Sequence, residues 1–351
     1  MKSFAALSIL SLVSATPLVQ RADEIDDATV LNYALTLEHL ENAFYSGALS
    51  KFDDKAFTDA GLPASARPLF EQIGAHEQAH VDFLSKALAD KATKPCTYDF
   101  KYNNPKEFAA VAQILEGVGV SAYAGAAQYI KNPDYLTAAA VVLSTEARHA
   151  SWVASAVNDV QPWSGALDVP LTLNEVYSLA SSFITGCPSD NPALPVKAFP
   201  AVTVTPAAPS AGDEVSVAFN GLADGMTAVF LTGLAPEFAN ITNGKVTIPA
   251  NLNGTVYMVI NKDGQQVVSD DNTAAGPAVF QFQQAIAGSS SSGNSSGSTS
   301  SSTMSDQDDT PSYPTQFGDN GKYRNTISSS RAGAGRPFWT SMPLFRLALG
   351  K

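Results

Sequence analysis

Between Asp27 and Leu49 the apolar positions Val30, Leu31, Ala34, Leu35, Leu37, Leu40, Phe44 and Tyr45 recur at helical spacing, with no Gly or Pro before Gly47. This periodicity predicts a first long helix. A second is expected from Ala64 or Pro68 to Ala92, a third from Pro105 to Ile130 and a fourth from Asp134 to about Val157, with Pro68 and Pro105 suited to first-turn positions. Lys131-Asn132-Pro133 joins the third and fourth helices closely, whereas Thr93 to Asn104 separates the second from the third. At ~3.3 Å per extended residue that longer link reaches ~40 Å, about the length of a 26-residue helix. The expected architecture is therefore mainly α: a four-helix bundle with one long crossover, over residues 24–187. The link Lys51 to Pro63 fits an antiparallel pair, and a fifth helix, Leu173 to Phe183, is expected to cap the bundle.

Beyond Cys187 the pattern changes. A Pro-rich linker at 188–200 leads into short apolar runs at Val215 to Phe219, Ala228 to Leu231, Lys245 to Ile248, Val256 to Ile260 and Val279 to Phe282, each bounded by turn residues. They predict a small all-β sandwich over 201–286, of immunoglobulin-like type by analogy. From Gly288 to Ser302 the chain is nearly all Ser and Gly, so 287–351 reads as a disordered tail. Its end, Pro343 to Lys351, contains Arg346 and lacks the hydrophobic stretch of a lipid-anchor signal.

The chain opens with Met1-Lys2-Ser3, an apolar run from Phe4 to Val13 and small residues to Ala15, the plan of a signal peptide over 1–15, with a propeptide at 16–23 ending near Arg21. Export is the expectation, to the extracellular space or the cell wall, and no later segment reads as a ~20-residue membrane span. In that compartment Cys96 and Cys187, the two cysteines, are expected to pair. Sequons at Asn240, Asn253 and Asn294 suit glycosylation. A net charge of −12 with 21 basic residues argues against a nucleic-acid partner.

The chemistry is concentrated in the helices. Helix two carries Glu77-Gln-Ala-His80 and helix four Glu146-Ala-Arg-His149, and residues three apart share a helix face. With eleven Glu and four His in the chain, chance placement gives only ~0.1 such pairs. Helices one and three add Glu38 and Glu116, each followed seven residues later by tyrosine, Tyr45 and Tyr123, so both halves repeat the order Glu, Tyr, Glu-x-x-His. One Glu from each of two helices and Glu-x-x-His from each of the others is the ligand set of a carboxylate-bridged dinuclear metal site. Four carboxylates balance two divalent cations, and oxygen-rich ligation with two imidazoles favours two iron ions, or two manganese ions, over a thiolate-seeking metal. The bland reading, a polar network or solvated helix faces, does not account for the repeated spacing. His39 is expected at the surface, His76 above the site, and Glu41 beside it or exposed. Gly117, Gly119 and Gly125 are expected to permit close packing and to open space near the metals.

Ala34-Leu-Thr-Leu-Glu-His-Leu-Glu-Asn-Ala-Phe-Tyr45 and His76-Glu-Gln-Ala-His80 resemble the secreted fungal ferritin-like proteins described as stress-response or late-sexual-development proteins. The resemblance covers about residues 24–190. It implies a ferritin-like bundle in which Glu38, Glu77, His80, Glu116, Glu146 and His149 are ligands, with Glu77 and Glu146 bridging and Tyr45 or Tyr123 as hydrogen-bond or redox partners. The export signal and the fused β-domain set the chain apart from iron-storage cages. The expected function is oxidoreductase chemistry on dioxygen, peroxide or ferrous iron. The alternative is a non-catalytic surface or wall module with a vestigial site.

Overall fold

The computed structural model describes residues 25–264 and 266–283. The expectations for the leader, the propeptide, the Ser-rich tail and the Asn294 sequon lie outside these residues. Four long helices form the bundle: α1 (Asp27–Lys51), α3 (Ala66–Leu88), α4 (Pro105–Ala126) and α5 (Pro133–Trp152). Their starts follow local chemistry. Asp26 accepts from Thr29 N at α1, Asn104 accepts from Glu107 N at α4 with Pro105 behind it, and Asn132 accepts from Asp134 N at α5. The link after α1 is not plain loop, because Asp53 caps a short helix α2 (Asp54–Asp59) whose Phe57 enters the core. Past Trp152 the helix widens into a π-turn, Val153–Val157.

The pairing of helices confirms the long crossover. Tyr45 packs near Gly74, Asn42 bonds Gln78 and Arg67 reaches Leu49 O, so α3 runs antiparallel to α1. Tyr45 of α1 reaches Glu116 while Tyr123 of α4 reaches Glu38, so α4 is antiparallel to α1 as well. Helices α3 and α4 therefore run parallel, and the chain between them must travel the bundle's length. It does so along α1, touching Asn32 through Thr93 N at one end and Lys51 through Tyr102 O at the other. Within this crossover Thr97–Tyr98 (β1) pairs with Ile184–Gly186 (β2), next to the Cys96–Cys187 disulfide, which closes a separation of 91 residues. A disulfide is consistent with an extracellular location. One end of the bundle is sealed by aromatic rings, with Phe108 stacked on Phe44 at 4.9 Å and Phe70 edge-on to Phe108 at 4.8 Å.

The β part is a two-sheet antiparallel sandwich. Strands β3 (Thr203–Thr205), β4 (Glu214–Ala218) and β7 (Lys245–Thr247) face β6 (Glu237–Asn240), β5 (Thr227–Leu231), β8 (Gly254–Asn261) and β9 (Thr273–Phe282), in that spatial order. Strands β3 and β6 carry too few apolar residues to stand out in the sequence, and β9 begins at Thr273, earlier than its apolar end at Val279 to Phe282 implies. Val215, Val217, Val246, Phe230, Met258 and Ile260 fill the space between the sheets. The opposite face of β5 and β8, with Val229, Leu231, Tyr257 and Val259, packs on Val118 and Ala122 of α4. Both faces of the larger sheet are thus buried, so its central strands read as continuous apolar runs rather than alternating ones.

Helix α6 (Leu173–Ala180) enters through a Thr172/Glu175 capping box and does not sit on the bundle's end. Its Leu173 and Val176 join the same α4–sheet core, so it is a wedge beside that interface rather than a cap. The same burial explains another departure. The segment Pro105–Tyr129 is long and apolar enough, by length and composition, to cross a membrane, but 61% of its apolar window is buried inside the protein.

Gly125 marks the tightest approach. A Cβ there would stand 1.8 Å from Leu171 O, in the segment whose Leu171 N donates to Ser121 O at 3.1 Å. At Gly117 the nearest atom, the Tyr257 hydroxyl, leaves 3.6 Å. Gly125→Ala is therefore expected to cost about 2–3 kcal/mol through overpacking, and Gly117→Ala to be neutral or to gain up to about 1 kcal/mol of helix propensity. Urea midpoints read the difference, and equal midpoints would contradict the close approach.

Candidate metal centre

The four long helices deliver the six singled-out side chains to one point. Glu38 comes from α1, Glu77 and His80 from α3, Glu116 from α4, and Glu146 and His149 from α5. All four carboxylates are essentially inaccessible, none more than 1% exposed. His80 Nδ1 lies 3.1 Å from Glu77 Oε2 and 3.2 Å from both Glu38 Oε2 and Glu146 Oε1. His149 Nδ1 lies 3.2 Å from Glu77 Oε1 and from Glu116 Oε2. Two overlapping groups result, Glu38-Glu77-His80-Glu146 and Glu77-Glu116-Glu146-His149, each with its donor atoms within 4.8 Å of one another. Either group could hold a metal ion, and Glu77 and Glu146 are common to both.

The tyrosines cross over. Each repeat of the sequence places a Tyr seven residues after its own Glu, yet Tyr45 donates to Glu116 Oε1 and Tyr123 to Glu38 Oε1. Seven residues span about 10 Å of helix, too far for a tyrosine to return to its own glutamate, whereas the antiparallel partner brings the other one alongside. His76 Nδ1 meets His149 Nε2 at 2.9 Å with the rings stacked at 5.1 Å. His39, expected at the surface, is half-buried, and its Nε2 lies 3.1 Å from Thr93 O in the crossover. That crossover covers this face of α1, which helix periodicity cannot show. Glu41 is buried at 5% exposure, and the site of a Gly119 Cβ would be 3.2 Å from both Glu41 Oε1 and Glu146 Oε2. Gly119 is thus small because two carboxylates meet over it. Gly117 and Gly125 make room for the sheet and the Leu171 segment instead.

Five acids in one apolar interior shift strongly. Burial pushes Glu38 up to about 7, and drives Glu41 and Glu146 well above the usual carboxylate range, with the neighbouring glutamates adding repulsion. Burial also raises Glu116. Glu77 alone goes down, to about 2, because hydrogen bonds from His149 and His80 outweigh its burial. The histidines rise against their own burial, His80 to about 12 through Glu146, Glu38 and Glu77, and His149 to about 9 through Glu116 and Glu77. Glu146 Oε2 nonetheless has no hydrogen-bond partner, and Glu77 Oε1 and Glu146 Oε1 have only an imidazole Nδ1 at 3.2 Å, outside hydrogen-bond geometry. Buried carboxylate oxygens left so are costly, and they are the two carboxylates common to both groups. The residues present fit a pair of cations.

Residues 26–159 match the family of ferritin-like domains. This part of the chain is a ferritin-like domain. Protein rds1 of Schizosaccharomyces pombe is 25% identical over 296 aligned residues, covering 70% of this chain and 73% of that protein. The likeness therefore extends beyond the ferritin-like domain.

Metal ligands must be neutral imidazoles and ionised carboxylates. At pH 7 the metal-free ferritin-like domain holds protons on His80 and His149, whose values lie at about 12 and 9. Metal binding must expel them, so affinity rises with pH. Calorimetry at pH 7 in buffers of different ionisation enthalpy is expected to show about two protons released per chain, one from each histidine. Zero release, or tighter binding at pH 5 than at pH 7, would contradict the arrangement.

Proposed function

We propose that this protein is a secreted oxidoreductase whose carboxylate-bridged pair of metal ions, iron or alternatively manganese, acts on dioxygen, peroxide or ferrous iron in stress or development. The orphaned oxygens of Glu77 and Glu146 at the centre of the bundle carry the reading. Four carboxylates match the charge of two divalent ions, and oxygen donors with two imidazoles suit iron and manganese alike. Redox-active ions bound there supply one-electron steps and open coordination positions for a small oxidant. The link to stress or development rests on the resemblance in the Ala34 to Tyr45 and His76 to His80 segments. Secretion is supported by the leader-like residues 1–15 and by the disulfide, with Asn240 and Asn253 as glycosylation acceptors and the cell wall as a place of residence.

Each side chain then has a task. Glu77 and Glu146, common to both donor groups, would be shared between two ions, Glu38 with His80 would help hold one, and Glu116 with His149 would help hold the other. The Tyr45 and Tyr123 hydroxyls, whose own ionisation burial opposes, donate to Glu116 and Glu38 and fix how those carboxylates turn. As phenols in contact with two of the candidate ligands, they could also give up an electron. The aromatic cluster around Phe44, Phe70 and Phe108 keeps water from that end of the site.

Protein secreted by its own host and purified without chelator is expected to carry about two equivalents of iron or manganese per chain, lost in His80→Ala with His149→Ala. Mass spectrometry decides, and absence of metal even after anaerobic reconstitution would leave a ferritin-like scaffold serving as a wall or surface module. In loaded protein, Tyr45→Phe and Tyr123→Phe are each expected to slow ferrous-iron or peroxide turnover by about tenfold with metal content retained. Unchanged rates in both would remove the tyrosines from the chemistry.

A further inference from the structure

We propose that the cleft between α3 and α5, on the outer side of His149, binds a small planar aromatic anion of the benzoate class. The cleft holds about 390 Å³, within the size range of small-molecule sites. Leu69 and Ile73 of α3 and Trp152 of α5 supply apolar walls, and His76, Arg148 and His149 supply the polar ones. Its position follows from the fold: α3 and α5 meet through the His76–His149 pair, the shared carboxylates and the Phe70–Trp152 contact, and the cleft opens beside that meeting point.

The charge of the cleft runs against that of the chain. The protein carries 33 acidic against 21 basic residues, yet no carboxylate lines this cleft. Arg148 donates to Thr145 Oγ1 at 3.2 Å, and among the described residues no carboxylate pairs with it. A guanidinium with free donors above an apolar floor is the arrangement that takes a carboxylate in a forked pair of hydrogen bonds. Shape selects the rest of the ligand. The His76 and His149 rings, stacked with their planes 9° apart, and Trp152, held by edge-on contact with Phe70 at 5.0 Å, are the flat side chains of the lining. A flat ring covers more of such walls than a puckered one. The bound anion lies beside His149, itself one of the candidate ligands, whose Nδ1 faces Glu77 and Glu116. Its binding needs only the cleft, so it stands whether or not the proposed oxidoreductase activity does.

The test is calorimetric titration of the full-length protein, metal-free and metal-loaded, with benzoate, 4-hydroxybenzoate, cyclohexanecarboxylate and benzylamine. Both benzoates are expected to bind at one site per chain, cyclohexanecarboxylate several-fold more weakly and benzylamine not at all. Arg148→Gln is expected to weaken benzoate at least tenfold, and Leu69→Trp, which fills the cleft without changing its charge, to abolish binding. Thermal melts show that both variants are folded, and metal stoichiometry is read in the same samples. No binding by either benzoate, binding unaltered in both variants, or equal binding of benzylamine overturns the proposal. Loss of bound metal with benzoate binding intact counts against the metal centre alone.

Discussion

The structure depends on holding five carboxylates and two imidazoles in a dry interior. Glu38, Glu41, Glu77, Glu116 and Glu146 are all buried, and only Glu77 is kept low by its histidines. Without cations such a cluster is stabilised by protonation and by His80 and His149 alone, which leaves Glu146 Oε2 without a hydrogen-bond partner. Each helix is constrained by this. Four must run at the right depth to bring one or two ligands inward, and α4 must be Gly at 119, where Glu41 and Glu146 converge. The crossed tyrosine bonds tie α1 to α4 at both ends of the site, so the antiparallel register of the two helices and the geometry of the carboxylates are one requirement.

The sandwich is part of the same problem. Helix α4 is the most apolar of the long helices and presents Val118 and Ala122 away from the site, where they would meet water in an isolated bundle. The outer face of β5 and β8 covers them, Ser121 bonds the Tyr257 hydroxyl at 3.2 Å, and Gln113 bonds Gln281. Asp270 of the sandwich accepts from Thr172 and Asn174, at 2.7 and 2.8 Å, fastening the start of α6 as well. The helix that carries Glu116 and Tyr123 is thus clamped between the site and the sheet. A change in the β part that loosens this contact acts on the position of a candidate ligand some residues away, through α4.

Much of the site was legible because helical periodicity and Glu-x-x-His spacing act over three or four residues, a range that sequence records directly. Glu77 with His80 and Glu146 with His149 had to share faces once the segments were helices. The bundle's crossover was legible too, from the length of one link. What failed to show were features made by distant segments: the crossover lying over His39, the exchange of tyrosines between halves, the short helix α2, and the weak strands β3 and β6.

By itself the sequence determined the four long helices, the candidate ligand faces, the disulfide partners available and the change from helix to strand after Cys187, because each follows from local spacing and residue chemistry. Only the tertiary structure decided which glutamate each tyrosine serves, that α6 wedges rather than caps, that Gly119, Gly117 and Gly125 answer three different neighbours, and that an apolar α4 lies under a sheet. Those outcomes depend on what packs against a face, and a one-dimensional pattern shows that a face is apolar without showing what covers it.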